Sequence, residues 1–217
     1  GFMSRGEFIP LFEKNGFITE LDTFVWEETC RKIALWIETY GKYVPVSVNV
    51  SRKDIYKQDL PILLLNIVHK YGLEPKHLHL EITESAYTEN PEQLISVVGK
   101  LKEEGFVIEM DDFGSGYSSL NMLAELPIDI LKLDMKFVQN KGPHSKNESI
   151  MSCMIELAKK IDLIVVAEGV EEQKQIDMLR EMKCDIVQGY YFSKPLPADD
   201  FEKRLEIEEV IAGQEVK

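Results

Sequence analysis

Six times along the chain, a short apolar run of strand character ends on a polar residue and gives way to residues with helical spacing. The polar residues are Asn49, Glu81, the pair Asp111 and Asp112, Lys132 with Asp134, Glu168, and Gln188. Strand-helix units that carry their polar chemistry at one end describe an α/β protein with a parallel sheet whose loops form one functional mouth. A closed barrel of this type has about eight strands. The spacing therefore predicts a TIM-like (β/α) barrel with six βα units visible, the first two barrel strands being expected upstream of Gly1.

Strands are expected at 45–50, 77–84, 106–110, 128–134, 163–170 and 186–192, the last containing Gln188. The run from His77 to Glu84 alternates strictly, with Leu78, Leu80 and Ile82 on one face and His77, His79, Glu81 and Thr83 on the other. Helices are expected from Leu21, over 59–71, from Pro91 to the stop at Gly105, over 150–161, around 176–182 and over 201–211. In the first, Leu21, Phe24, Val25, Ile33, Trp36 and Ile37 keep helical spacing and are expected in the core, behind a short apolar patch within residues 6–17. Residues 139–148 read as an exposed loop.

Phe106 to Leu120 is the most informative stretch. Its strand delivers Asp111 and Asp112 side by side, Gly114 and Gly116 permit a sharp turn, and Ser118 is placed to cap a short helix. Alone, Asp-Asp-x-Gly is an ordinary polar turn. Carboxylates at successive strand ends point instead to metal and phosphate chemistry.

The net charge of −13 argues against a nucleic-acid polymer or an anionic membrane surface as partner. An anionic ligand would need metal ions or a few placed Lys and Arg. Cys30, Cys153 and Cys184 are widely spaced without a Cys-x-x-Cys pair, which suits reduced thiols in a cytoplasmic domain. No apolar run reaches the roughly 20 residues a membrane helix needs, although a parent protein could be membrane-anchored elsewhere. At 217 residues, 44% of them apolar, one large domain is expected.

In order along the chain stand Gly-Glu-Phe-Ile-Pro-Leu-Phe-Glu (6–13), Val-Ser-Val-Asn-Val-Ser (46–51), Leu-Glu-Ile-Thr-Glu-Ser (80–85) and Asp-Asp-Phe-Gly-Ser-Gly-Tyr-Ser-Ser-Leu (111–120). Leu-Lys-Leu-Asp (131–134), Ala-Glu-Gly-Val-Glu (167–171), Gln-Gly-Tyr-Tyr (188–191) and Lys-Pro-Leu-Pro (194–197) follow. With these blocks the chain resembles the EAL-type phosphodiesterases, which hydrolyse cyclic di-GMP to linear pGpG. The resemblance implies that residues 1–217 are an N-terminally truncated EAL-type domain. The Glu-Ala-Leu strand, its metal-ligand Glu and a phosphate-contacting Arg are expected upstream. It also implies a homodimer, with a sensor or cyclase domain preceding this one in the parent protein.

The resemblance further implies a site of two Mg²⁺ or Mn²⁺ ions, which neutralise the phosphodiester and activate water. Asp111 would bridge the ions, Asn49 and Glu81 would serve one, and Asp112 the other. Glu168 would be the general base or a metal-proximal carboxylate, and Lys132 would orient water or offset phosphate charge. Gln188 would lie by the second metal, and Glu171 with residues 114–119 would couple the site to dimerisation. Asp134 positions Lys132 or binds ligand. Tyr190, Tyr191 and Phe192 could stack on guanine or pack as core.

Plainer readings stand beside these: Asn49 could cap a turn, and Lys132 with Asp134 could be a structural ion pair. His77 and His79 precede Glu81 and so fall toward the opposite mouth, away from where a metal-binding His pair would sit. The rival function is an inert cyclic di-GMP receptor, and retention of the carboxylates and Lys132 favours the enzyme.

Overall fold

The computed structural model describes residues 5–41, 43–114, 120–134 and 146–207. Residues 115–119 with Ser118, the loop over 139–145 and the final residues of the last expected helix lie outside the described residues. Six strands pair in chain order in one parallel sheet. They are β1 (Val46–Asn49), β2 (Leu78–Thr83), β3 (Val107–Phe113), β4 (Ile130–Leu133), β5 (Ile164–Ala167) and β6 (Ile186–Val187). Among the described residues β1 and β6 do not pair with each other. The result is a partial TIM-like barrel.

The helices are α1 (Arg5–Asn15), α2 (Ile18–Tyr40), α3 (Arg52–Ile55), α4 (Leu60–Lys70), α5 (Glu84–Glu89), α6 (Pro91–Glu103), α7 (Leu120–Glu125), α8 (Lys146–Lys160), α9 (Gln173–Glu181) and α10 (Ala198–Ile207). Side-chain alternation separates the two faces of the sheet. Val48, Leu78, Leu80, Ile82, Ile108 and Met110 are buried under the helices. Ser47 and Asn49 of β1, His79, Glu81 and Thr83 of β2, and Glu109 and Asp111 of β3 therefore share the opposite, lumen face. The core is completed by Trp26, Cys30 and Ile33 of α2, Leu64 and Val68 of α4, and Leu94, Val98 and Leu101 of α6. Burying side chains of this size stabilises by roughly 1.5–3 kcal/mol each.

Two aspartates set the entry ends of the strands. Asp129, just before β4, accepts the Ile108 N–H on Oδ2 at 2.8 Å and pairs with Lys102 of α6. Asp185, just before β6, accepts the Val165 N–H at 3.0 Å and pairs with Lys159 of α8 at 3.0 Å. Each carboxylate satisfies the N–H of the second residue of the preceding strand.

Three expectations are corrected. Residues 6–17 are mostly the helix α1. In α2, Phe24 is 63% exposed and Val25 40%, while Ile18, Asp22, Trp26, Cys30, Ile33 and Trp36 face inward. The buried stripe is rotated because Asp22 belongs to it, engaged by the Ser51 N–H at 3.0 Å. The last strand stops at Val187, before Gly189, so Gln188 follows the strand and Tyr190, Tyr191 and Phe192 form an exposed turn. They contribute little to the core. Tyr191 is 43% exposed, and its hydroxyl donates to Gln173 Oε1.

Helix α2 ties the outer layer to the site. The Trp26 Nε1–H donates to the carbonyl oxygen of Asn49 at 3.0 Å. At its other end, Trp36 packs on Phe201 of α10 with ring centroids 5.2 Å apart, and Glu202 accepts from Lys32 and Trp36. No helix among the described residues is long and apolar enough to cross a membrane.

Candidate metal centre

The pairing of β3 explains how neighbouring carboxylates come to serve one site. Met110 pairs with Leu131 and Phe113 with Leu133, so three steps on β3 oppose two on β4. That extra residue is a β-bulge. Asp112 takes it up with φ 55°, a left-handed conformation that Asp tolerates better than most residues. In a regular strand adjacent side chains point to opposite faces. Here ligand atoms of Asp111, Asp112 and Glu168 all lie within 4.8 Å of one another.

Lys132 of β4 stands among them, 5% exposed. Its Nζ is 2.5 Å from Glu81 Oε1, 2.9 Å from Glu168 Oε1 and 3.2 Å from Asp111 Oδ1. Burial acts to lower its pKa, and the Glu81, Glu168 and Asp111 carboxylates more than reverse this, holding it above the ordinary lysine range. Burial raises the pKa of Glu81 and Glu168, Lys132 offsets part of the rise, and the Asp111 charge adds to it. One ammonium against four carboxylates leaves negative charge that a divalent cation would complement.

The donor set fits such an ion. Asp111 Oδ1 is buried and makes no hydrogen bond; its approach to Lys132 is an ion-pair contact without hydrogen-bond alignment. A buried carboxylate oxygen left this way is costly. A hard cation, which takes oxygen ligands, would satisfy it.

The other expected residues are distributed around this cluster. Asn49, exposed at the end of β1, is the register partner of Glu81. Asp134 is buried, one residue beyond β4, with its N–H donating to the Phe113 carbonyl at 3.3 Å. Gln188 is exposed and bound through its backbone to the loop of Glu168, its N–H donating to Ala167 and its carbonyl accepting from Val170. Glu171 is exposed, and its N–H and that of Glu172 donate to Gln175 Oε1 at 2.7 and 2.8 Å. Gln175 and the capping box at Glu172 organise the entry to α9. His77 lies in the turn before β2, and His79 bonds Glu109 rather than the carboxylates at the mouth.

Glu109 is absent from the sequence expectations. Its signal is the two-residue period of β3, which places it on the same face as Asp111.

The EAL domain profile matches residues 1–195. The signaling protein YkoW of Bacillus subtilis is 36% identical over 91% of the chain, which covers 25% of that protein. The cyclic di-GMP phosphodiesterase NbdA of Pseudomonas aeruginosa is 37% identical over 94% of the chain, which covers 26% of it. The chain thus spans about a quarter of the length of these curated relatives. Among solved structures, the PaMucR phosphodiesterase in complex with c-di-GMP superposes with a TM-score of 0.86 at 34% identity, over 93% of this chain and 81% of that one. A profile match over most of the residues, with bulge, carboxylates and Lys132 in the matched span, means that the chain belongs to the EAL domain family.

Proposed function

We propose that this domain is a divalent-metal-dependent phosphodiesterase that hydrolyses cyclic di-GMP to linear pGpG in second-messenger signalling. The observation that carries the reading is the convergence of Asp111, Asp112 and Glu168 around a buried Asp111 oxygen without a hydrogen bond. The relatives support the substrate, NbdA by its activity and PaMucR by the nucleotide it holds.

Two Mg²⁺ or Mn²⁺ ions, when bound, would neutralise phosphodiester charge and acidify the attacking water. Asp111, Asp112, Glu81 and Asn49 would hold them. Lys132, already among Glu81, Asp111 and Glu168, orients the water and offsets charge on the phosphoryl oxygens. Glu168 takes the proton from the water, and burial moves its pKa upward, the direction a base working near neutral pH needs. Asp134 and Gln188 border the site, Tyr191 is available for guanine stacking, and Glu171 lies in the loop through which a homodimer would sense metal occupancy.

The test is incubation with cyclic di-GMP and Mn²⁺ or Mg²⁺, following pGpG by chromatography. Turnover should require the ion and disappear in Asp111→Asn without loss of fold. Binding of the nucleotide without turnover in the parent protein would favour an inert receptor, and metal-independent turnover would overturn the two-metal reading.

A further inference from the structure

Beneath the carboxylates of the mouth lies a second polar layer that the proposed reaction does not use. Glu109 of β3 is 4% exposed. Its Oε1 accepts from the Ser47 hydroxyl of β1 at 2.9 Å and from His79 Nδ1 of β2 at 2.6 Å.

Ser47, His79 and Glu109 precede Asn49, Glu81 and Asp111 by two residues on their respective strands, and two residues is the period of one face. Strands lie about 4.8 Å apart, so a regular flat sheet would separate β1 from β3 by roughly 10 Å. A carboxylate on β3 reaches a hydroxyl on β1 only where the sheet curls toward the lumen. On the helix side β1 is held by Trp26 through the Asn49 carbonyl, and on the lumen side by Ser47. A carboxylate buried at this depth is costly where an apolar side chain would pack without penalty. Its presence calls for a task that an apolar residue would not perform.

We propose that Glu109 is a positioning residue for the metal centre. Through Ser47 and His79 it holds β1, β2 and β3 at the curl that brings Asn49, Glu81 and Asp111 to one point. The inference rests on the metal reading above.

The test is Mn²⁺ affinity in the full chain, followed by the electron paramagnetic resonance of free Mn²⁺, with thermal unfolding to confirm that each variant is folded. Asp111→Asn should lose binding. Glu109→Ala should weaken it about tenfold, the scale of losing an outer-layer support, and Ser47→Ala by a smaller factor. Glu109→Gln, whose amide oxygen still accepts from both donors, should keep most of the parent's affinity. Ser47→Ala added to Glu109→Ala should weaken binding no further, because both remove one path. Should Glu109→Ala not fold, Ser47→Ala decides. Parent-like affinity in Ser47→Ala, or in a folded Glu109→Ala, while Asp111→Asn loses binding overturns the positioning role and leaves the metal centre standing. Parent-like affinity in Asp111→Asn removes the metal reading and this inference with it.

Discussion

Gly189 presses against Val170 so closely that a Cβ in its place would lie 2.1 Å from the Val170 carbonyl oxygen and 2.3 Å from its nitrogen. The contact locks the loop after β5, which carries Glu168, against the chain leaving β6, which carries Gln188. Both partners are backbone, so no rotamer change relieves the clash. Gly189→Ala should cost at least the ~1–3 kcal/mol of overpacking and lower turnover, because Glu168 must shift. Thermal unfolding checks the first part, and a melting temperature equal to the parent's would show that the contact yields freely.

Lys132 has three carboxylate neighbours within 3.2 Å. Lys132→Met removes their ammonium and keeps most of the volume. Breaking a buried ion pair from one side costs about 3–5 kcal/mol, and the variant should be destabilised on that scale without divalent ions. Mn²⁺ should then stabilise Lys132→Met more than it stabilises the parent. Equal stabilisation of the two, read from denaturant midpoints, would show that the cation and Lys132 do not answer the same charge.

Much of this was legible in the sequence because parallel barrels write their chemistry at strand ends. Asn49, Glu81, Asp111 and Lys132 stand at or within two residues of the carboxyl ends of strands that hydrophobic runs announce, and Lys132 meets Glu81 and Asp111 there. The face of α2 was not legible, because a hydrophobic stripe was expected and Asp22 sits within it, stabilised by a backbone N–H distant in sequence. Val187 ends the last strand although Tyr190, Tyr191 and Phe192 have strong strand propensity, since Gly189 turns the chain first. Glu109 escaped because a buried carboxylate is recognised only by its partners, and Ser47 and His79 come from two other strands. The bulge at Asp112 likewise depends on pairing with β4, which no local pattern states.

Asp22 carries a pH dependence for the fold itself. Burial raises its carboxyl from the ordinary 3.8 to about 6, the Ser51 contacts opposing the rise and the nearby Asp54 adding to it. At Asp54 burial works in the same direction, but Lys57, Thr19 and Ser51 outweigh it and hold that carboxyl below the usual range. The folded state thus binds a proton at Asp22 more tightly than the unfolded chain does. The stability it contributes is present below about pH 3.8 and is lost as pH rises through about 6. Asp22→Asn keeps an acceptor for the Ser51 N–H and removes the charge. Relative to the parent it should gain about 1–3 kcal/mol between pH 4 and pH 8. Denaturant midpoints at the two pH values test this, and a difference independent of pH would mean that Asp22 titrates normally.

Asp112 combines a backbone demand with a charge, and substitution separates the two. At φ 55° the position accepts Asn or Gly readily and a β-branched residue poorly. Asp112→Asn should therefore keep the β3 bulge and lose Mn²⁺ affinity, because the charge next to Asp111 and Glu168 has gone. Asp112→Val should lose affinity and about 1–3 kcal/mol of stability as well, the cost of holding such a residue in a sparsely populated conformation. Unfolding and Mn²⁺ titration on the same samples give both quantities. If Asp112→Asn binds Mn²⁺ as the parent does, Asp112 shapes the bulge and ligates nothing, and the cation would be left to Asp111, Glu81 and Asn49. If Asp112→Val is as stable as Asp112→Asn, the left-handed backbone is not enforced by the pairing of β3 with β4, and convergence of the adjacent carboxylates would need another cause.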